Sequence, residues 1–323
     1  MATHTLSVAL CTFNGSRFLR EQLESITAQI RPPDELVVCD DGSADSTAQI
    51  IDGFARQVAF PVRWYTRDTP VGSTKNFEKA IALCQGDLIA LSDQDDVWLP
   101  DRLRATESTF QSDANADAFF SDAEIVDASL NPLGCRLWDI VRFGRPEQSD
   151  VRRGRAVALL LRRNVVTGAT LAFRSDLRKL LLPVPEGWVH DAWIALLIGA
   201  TGKLAFTERP LIRYRQHSSN QIGALKLGFG EQLEKAKTPH AEIYAAAAAN
   251  YAVARERLLT AKGVTVSPEV IRLLEAKIAH MQTRATLPSS RVRRLPVVLS
   301  ELAAGRYRCY SNSWKSFARD LWF

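Results

Sequence analysis

Short apolar runs and amphipathic stretches alternate along the first hundred residues. The apolar runs, each followed by polar turn residues, predict four strands at residues 6–11, 35–39, 62–66 and 87–92. The stretches between them have helical periodicity and predict helices at residues 17–29, 46–59 and 75–84. Strands joined by helical crossovers are typical of a parallel, doubly wound α/β sheet. In such a sheet ligands bind at the carboxyl ends of the strands.

The pattern changes after residue 222. Residues 231–261 and 268–286 have helical periodicity, with a break at 263–267, and residues 225–230 are typical of a linker. We therefore predict a sheet-containing part over residues 1–225 and a helical C-terminal region over residues 226–323.

Composition and charge narrow the class of protein. Of the 323 residues, 46% are hydrophobic and 24% are charged, which is sufficient for a packed core and excludes a disordered polymer. Residues 1–150 contain 13 Lys and Arg against 24 Asp and Glu, whereas residues 151–323 contain 28 against 12. An acidic part joined to a basic part suggests two tasks, and the basic part suits an anionic partner. Charged faces that only keep the protein soluble are the alternative.

The sequence lacks the motifs of a membrane span, a signal peptide and a cysteine-based metal site. The longest apolar runs have six to eight residues, and because a spanning helix needs about 20, we predict no transmembrane segment. The chain begins almost at once with a strand-like run and no signal-peptide core, so we expect a cytoplasmic protein. The five cysteines are widely spaced, which argues against a structural zinc site and a disulfide framework.

Polar motifs follow three of the four predicted strands. They are Thr12-Phe13-Asn14-Gly15-Ser16, Asp40-Asp41-Gly42-Ser43 and Ser92-Asp93-Gln94-Asp95-Asp96. The first motif lacks the GxGxxG of dinucleotide-binding folds, and the chain has no P-loop. Three carboxylates within four residues repel one another unless a cation lies among them, and Mg²⁺ and Mn²⁺ bind carboxylate and phosphate oxygens. The third motif therefore predicts a Mn²⁺ or Mg²⁺ site that bridges to a diphosphate; an Asp-rich helix cap is the alternative.

In this order the motifs resemble those of family 2 glycosyltransferases. Gly168-Ala169-Thr170, Trp188-Val189-His190-Asp191-Ala192-Trp193 and Tyr214-Arg215-Gln216-His217 are similar to motifs in the acceptor half of that family. The resemblance spans residues 5–225 and implies a GT-A fold, a Rossmann-like, mostly parallel sheet flanked by helices. It divides this part into a nucleotide-sugar-binding half, residues 1–100, and an acceptor half, residues 101–225. The tail, residues 305–322, is similar to bacterial rhamnosyltransferase-like members.

The resemblance also implies roles for individual residues. Residues implied in donor binding follow the first, second and fourth strands or open the helix before the fourth: Thr12, Phe13, Asn14, Asp40, Asp41, Lys75, Asn76 and Asp93. The implied metal ligands are Asp93, Asp95 and His217, with Asp96 completing or orienting the site. For the Asp-Gly and Asn-Gly pairs, turn formation is the alternative reading, and for Lys75 it is a solvated helix start.

Asp191 is the implied general base, which takes the proton of the attacking hydroxyl in a single, inverting displacement. Because an apolar helix is predicted at residues 192–199, capping of that helix is the alternative role of Asp191. The implied contacts with the acceptor or with phosphate are Trp188, His190, Trp193, Arg213 and Arg215.

The C-terminal end is basic and aromatic. From Lys277 onwards nine Lys and Arg stand against Glu301 and Asp320. Four large apolar residues recur there at helical spacing: Trp314, Phe317, Leu321 and Trp322. Such a helix suits a membrane interface, and packing of its tryptophans on the core is the alternative. No nucleic-acid-binding motif accompanies the charge, so we expect no nucleic-acid partner.

The sequence therefore predicts a metal-dependent, inverting glycosyltransferase. Its expected donor is a dTDP- or UDP-linked sugar, with rhamnose favoured over other hexoses, and its acceptor is a glycan or a lipid-linked sugar. We expect it to act in bacterial surface polysaccharide synthesis, in the cytoplasm or at the inner face of the cytoplasmic membrane. Two classes stay open: a sugar nucleotidyltransferase, and a catalytically decayed carbohydrate-binding protein on the same fold.

Overall fold

The computed structural model describes residues 4–217 and 240–322. In these residues the strands form a single sheet. Their bounds are Leu6–Thr12 (β1), Glu35–Asp40 (β2), Val62–Tyr65 (β3), Leu88–Ser92 (β4), Val97–Trp98 (β5), Ala116–Val126 (β6), Pro132–Arg136 (β7), Leu171–Arg174 (β8) and Lys203–Arg215 (β9).

Helices flank the sheet and form the C-terminal part of the described chain. Nine precede residue 217: Leu19–Thr27 (α1), Thr47–Ala55 (α2), Ser73–Leu83 (α3), Arg102–Ser112 (α4), Leu137–Val141 (α5), Arg145–Arg152 (α6), Ala156–Arg162 (α7), Arg178–Leu181 (α8) and His190–Thr201 (α9). Those from residue 240 onwards are His240–Thr260 (α10), Pro268–Ala285 (α11), Arg291–Ala303 (α12), Arg306–Tyr310 (α13) and Trp314–Trp322 (α14). Among the described helices, none has the length and hydropathy to cross a bilayer.

The strand order is β3-β2-β1-β4-β8-β6-β9-β5, with β7 paired to β6. The first four strands along this path are parallel, and so are β6 and β9. Strand β8 runs antiparallel to both β4 and β6. The predicted mostly parallel α/β sheet is therefore confirmed, and the antiparallel strands of its second half are an addition. Every residue of β1, β2 and β4 is buried, as expected for strands covered on both faces.

Most of the early element bounds lie within two residues of the predicted ones. Strands β1 and β2 are each one residue longer at the carboxyl end, so Thr12 and Asp40 belong to strands and not to turns. Helix α9 starts at His190 with Val189 as its N-cap, not at residue 192. Helix α11 was predicted almost to the residue. The predicted linker at 225–230 and the first residues of the 231–261 helix lie outside the described residues.

The C-terminal helices contact the sheet-containing part close to α9. The Nδ2 of Asn250 on α10 donates to the Gly187 carbonyl at 2.9 Å, and the Trp188 indole donates to the Asn250 carbonyl at 3.1 Å. The Arg257 guanidinium donates to the Leu180 carbonyl at 2.8 Å. Helix α10 is thereby attached to the segment that leads into α9.

Charged side chains are buried between α11 and the last helices. The Lys277 ammonium donates to the Tyr310 carbonyl at 2.7 Å, and His280 lies 2.6 Å from Glu301. Arg284 pairs with Asp320 at 2.6 Å, with both side chains almost fully buried. Burial is the main cause that lowers the pKa of Lys277 to about 7, and nearby Arg284 adds to it. These contacts hold α11, α12, α13 and α14 together through polar groups.

Candidate active site

A cleft of about 500 Å³ opens where the carboxyl ends of the central strands meet the start of α9. Eight of the residues singled out in the sequence line it: Thr12, Phe13, Asp41, Asn76, Asp93, Asp95, His190 and Asp191. Residues from three separate motifs thus converge on one cavity, as expected for the carboxyl edge of a parallel sheet.

Asp40 and Asn14 join two loops instead of lining the cleft. The buried Asp40 carboxylate accepts hydrogen bonds from the Thr12 hydroxyl at 2.7 Å and from the Ser43 amide at 2.8 Å. The Asn14 side-chain oxygen accepts from the Ala44 amide at 2.9 Å. These bonds fix the loops after β1 and β2 to each other. Asp40 and Asn14 therefore help to shape the cleft without lining it.

Asp41 lines the cleft and anchors the start of α3. Its carboxylate accepts from the amides of Val71 and Gly72, at 2.9 and 2.8 Å. Gly72 has φ of 88°, a left-handed conformation that glycine adopts without steric cost. One turn later, Asn76 donates to the Cys39 carbonyl at 2.6 Å. Its side-chain oxygen is buried without a hydrogen-bond partner among the described residues.

Lys75 points away from this wall of the cleft. Its ammonium donates to Glu78 at 2.8 Å and to the Val184 carbonyl at 2.7 Å. The structure therefore does not bring Lys75 to the other residues predicted to bind a donor, because its charge is used to fasten α3 to the segment around residue 184.

The three carboxylates after β4 have different environments. Burial, together with the charges of Asp95 and Asp191, raises the pKa of Asp93 to about 7. Burial and its two neighbouring carboxylates also hold the pKa of Asp96 well above its ordinary value. The Arg102 guanidinium, stacked 4.0 Å over the Trp98 ring, lowers both pKa values. Negative charge at Asp93 is thus costly in the protein as described.

Asp95 and His217 are neighbours. The His217 Nε2 lies 2.8 Å from an Asp95 carboxylate oxygen, and its ring packs 4.7 Å from Phe18. Arg215, almost fully buried, donates from its backbone amide to Asp96 at 3.0 Å and from its guanidinium to the Asp95 carbonyl at 2.7 Å. Arg215 therefore holds the acidic loop in place and does not line the cleft.

The carboxylates of Asp93 and Asp95 suit a hard divalent cation as ligands. Within residues 4–217 and 240–322, no three His, Cys, Asp or Glu side chains come close enough to hold a metal ion by themselves. Mg²⁺ sites commonly use one or two carboxylates and complete the shell with substrate phosphates and water. Asp93 and Asp95 on the cleft wall, with a raised pKa at Asp93, meet that description.

Asp191 is held by two donors from the opposite wall. One carboxylate oxygen accepts from the Gly168 amide at 3.0 Å, and the other accepts from the Asn164 side chain at 3.3 Å. It is the second residue of α9, and no side chain caps that helix at Val189. The capping role considered from the sequence is therefore not the one that the structure describes.

His190 lies beside Asp191 with both ring nitrogens buried and without hydrogen-bond partners in the described part of the chain. Its ring stacks on Phe77 at 4.1 Å, and burial lowers its pKa. A Cβ at residue 168 would lie 2.8 Å from the His190 Nε2, which explains the glycine at that position. His190 lines the cleft beside Asp191.

The other predicted acceptor or phosphate contacts lie elsewhere. Trp193 is fully buried, and its indole donates to the Leu181 carbonyl at 2.7 Å. Trp188 packs on Trp193 and Tyr251 under α10. Arg213 on β9 pairs with Glu124 on β6 at 3.4 Å. Neither tryptophan lines the cleft, and Trp193, being fully buried, offers no face for a sugar ring.

Three further residues complete the site. Gln94 forms paired hydrogen bonds with the Phe13 backbone, at 2.8 and 3.0 Å, and so joins the first and third motifs. Asn164 orients Asp191, and Arg102 is the cation beside the carboxylates. Gln94 stands inside a recognised motif and could have been found. Asn164 and Arg102 carry no local signal, because their partners are distant in sequence.

Part of the chain matches a known family of proteins. Residues 7–130 match the model of glycosyl transferase family 2. An uncharacterized glycosyltransferase of Nostoc is 24% identical over 238 residues, which cover 72% of this chain and 71% of the relative. An uncharacterized protein of Mycobacterium tuberculosis is 23% identical over 219 residues, and the match spans only 59% of its length.

Solved structures share the fold. Staphylococcus aureus TarS 1–349, in complex with UDP-GlcNAc, has a TM-score of 0.58 and 13% identity, over 94% of this chain and 82% of that one. The mannosyltransferase PcManGT of Pyrobaculum calidifontis, with GDP-Man and Mn²⁺, has a TM-score of 0.55 and 16% identity, over 94% and 77%. These likenesses confirm the predicted GT-A type of fold.

Proposed function

We propose that this chain, which belongs to glycosyl transferase family 2 and is a glycosyltransferase, moves a sugar from a nucleotide-diphospho-sugar to an acceptor hydroxyl with inversion. The observation that carries the proposal is the meeting of Asp191 with Asp93 and Asp95 in one cleft. Asp191 is near enough to Asp93 to contribute to the rise of its pKa. This proximity supports roles for Asp191 as the base and for Asp93 and Asp95 as a cation-binding pair acting on one substrate.

The donor half uses the ends of β1, β2 and β4. Thr12, Phe13, Asp41 and Asn76 form the wall that meets the nucleoside, and the unpartnered oxygen of Asn76 can accept a hydrogen bond from it. TarS and PcManGT are solved with UDP-GlcNAc and GDP-Man, so a nucleotide sugar is the donor class. We infer a dTDP- or UDP-linked hexose or deoxyhexose, with rhamnose as the first sugar to test.

Asp93 and Asp95, with His217 beside Asp95, would hold Mn²⁺ or Mg²⁺. When bound, the ion would neutralise charge on the donor diphosphate. The protein's own contribution is to keep the two carboxylates on the cleft wall. Arg215 does so by binding the Asp95 carbonyl and the Asp96 carboxylate from behind.

Asp191 would take the acceptor proton as the hydroxyl attacks the anomeric carbon. Gly168 and Asn164 each donate to one of its oxygens, which orients the carboxylate while leaving lone pairs for that proton. A positioned base contributes about 10²–10⁴ in rate. The adjacent His190 nitrogens offer a hydrogen bond to the acceptor or donor sugar. Four apolar side chains complete the wall: Leu137, Val141, Val165 and Val166.

We propose the same division of the chain as from the sequence. Residues 1–100 would supply the donor half, residues 101–225 the acceptor half and residues 226–323 a basic C-terminal region. The acceptor we infer is a glycan or a lipid-linked sugar of a bacterial surface polysaccharide. The enzyme would act at the inner face of the cytoplasmic membrane.

The test is release of nucleoside diphosphate from a panel of UDP-, dTDP- and GDP-sugars, with Mn²⁺ and a bacterial glycolipid extract as acceptor. We expect release with one donor, and Asp191→Asn should lower kcat by about 10²–10⁴. Its nucleotide affinity should change much less than kcat, because the hydrogen bonds of Asp191 are with Gly168 and Asn164 and not with the donor wall. Full activity in Asp191→Asn would refute its role as the base. Nucleotide binding without turnover by the wild type would favour a decayed binding protein.

A further inference from the structure

Helix α12 has an apolar face on the outside of the molecule. Val292, Leu295, Leu299 and Leu302 are 83%, 42%, 45% and 37% exposed. Their spacing of three, four and three residues places them on one side of the helix. The opposite side is buried through Arg294, Val298 and Glu301. We call these four residues the α12 stripe; large apolar side chains repeated at this spacing on a solvent-facing side mark a contact surface.

The exposed charge of this C-terminal segment is basic. In residues 291–322 five charged side chains are exposed, and all are basic: Arg291, Arg293, Arg308, Lys315 and Arg319. The two acidic residues of this segment, Glu301 and Asp320, are buried in ion pairs. The partner of this surface must therefore combine negative charge with an apolar interior.

An aromatic side chain extends the stripe. Trp322 is 61% exposed, and Arg291, next to Val292, stacks 5.3 Å from its ring and donates to its carbonyl at 3.2 Å. Trp314, at the other end of α14, is 67% exposed. These tryptophans therefore do not pack on the core, and the buried residues of α14 are Ser316, Phe317 and Asp320.

We propose that the α12 stripe and Trp322 insert into the headgroup region of an anionic lipid bilayer, with the exposed basic residues of 291–322 on the lipid phosphates. An apolar face flanked by arginines, with tryptophan at its edge, matches the requirements of an interfacial helix. Nucleic acid would neutralise the basic charge but would not bury the apolar stripe. A second copy of this chain would bring like charges together. The surface lies outside the catalytic cleft, so the proposal goes beyond the transfer reaction.

The test is co-sedimentation of the full chain with vesicles of phosphatidylcholine alone or mixed equally with phosphatidylglycerol. We expect binding to the anionic vesicles, weakened at high ionic strength. Leu295→Gln combined with Leu299→Gln should lower the partition coefficient roughly 100-fold, since each buried leucine is worth about tenfold. Glutamine has a similar helix propensity to leucine and adds no charge, so α12 should persist.

The matched control is Val253→Gln with Leu259→Gln on α10. These residues are 44% and 50% exposed, but their spacing of six places them on different sides of their helix. This variant should bind like the wild type. Arg293→Gln with Lys315→Gln should weaken anionic binding roughly 25-fold, at about fivefold per charge.

Three results would overturn the proposal: no binding of the wild type to anionic vesicles, equal losses in the stripe and control variants, or unchanged binding in the stripe variant. Gel filtration of each variant gives a fourth readout. A wild-type dimer that the stripe substitutions convert to a monomer would assign the face to self-association instead. Nucleotide release without vesicles should be the same in all these variants, so a failed transferase assay leaves this result interpretable.

Discussion

Replacing Asp93 with asparagine should make the metal-free protein more stable. Burial and two neighbouring carboxylates raise the pKa of Asp93 from 3.8 to about 7. No described side chain or amide donates a hydrogen bond to its carboxylate, and the nearest compensating charge is the buried Arg102. The ionised Asp93 carboxylate therefore lowers the stability of the metal-free protein, and its role is in binding a ligand.

The magnitude follows from the shift. A rise of about three pKa units corresponds to roughly 4 kcal/mol of unfolding free energy lost at pH 8, where the group is ionised. Because the side chain keeps some contact with solvent and with Arg102, we expect about 1–3 kcal/mol. For a chain of this size that is a rise in Tm of roughly 2–6 °C.

The raised pKa of Asp93 also predicts how the stability difference between the wild type and Asp93→Asn changes with pH. Between pH 3.8 and 7 the folded protein binds more protons at Asp93 than the unfolded chain, so the wild type loses stability as pH rises through this window. Asp93→Asn lacks this loss. Its advantage in Tm should be full at pH 8 in EDTA and smaller at pH 5.5.

Asp40→Asn is the matched control at the neighbouring strand end. The Asp40 carboxylate accepts from Thr12 and Ser43, so its loss should lower Tm at every pH. Differential scanning calorimetry in EDTA measures both variants. A Tm of Asp93→Asn at or below that of the wild type at pH 8 would refute the electrostatic reasoning.

Two other changes give separate tests. Asn164→Ala removes one of the two hydrogen-bond donors that orient Asp191. The kcat for nucleotide release should therefore fall about tenfold, with the KM for the nucleotide sugar unchanged. An effect confined to KM, or no effect, would contradict this. Lys277→Met tests the buried network under α12. The folded protein releases the Lys277 proton near pH 7, whereas the unfolded chain keeps it to about pH 10. Wild-type stability should therefore rise relative to Lys277→Met between pH 7 and 9.5 in urea unfolding. A pH-independent difference would show that Lys277 stays charged when buried.

The sequence was most informative where local pattern and strand order coincide. The buried runs of β1, β2 and β4 end in polar motifs, so both the parallel sheet and the gathering of Asp41, Asp93 and Asp95 at its edge followed from spacing alone. The placement of Asp191 needed a family resemblance, since no local rule connects residue 191 with strands a hundred residues earlier.

Long-range packing accounts for what the sequence did not predict. Trp193 follows Asp191 by two residues, yet helical geometry turns it into the core beneath α10. Lys75 and Arg215 carry charges that suit a diphosphate, but each bonds to backbone carbonyls of segments distant in sequence. The apolar side of α12 was missed because its hydrophobic pattern is indistinguishable from that of a core-facing helix.

The central claim is a metal-assisted nucleotide site at Asp93 and Asp95, and the most direct measurement is the Tm shift with UDP, dTDP, GDP and CDP in Mn²⁺ or in EDTA. A ligand at 100 times its Kd adds about 2.7 kcal/mol of stability. We predict a rise of several degrees with one diphosphate in Mn²⁺, absent in EDTA and absent in Asp93→Asn. No metal-dependent shift with any of the four, or an undiminished shift in Asp93→Asn, would contradict the account.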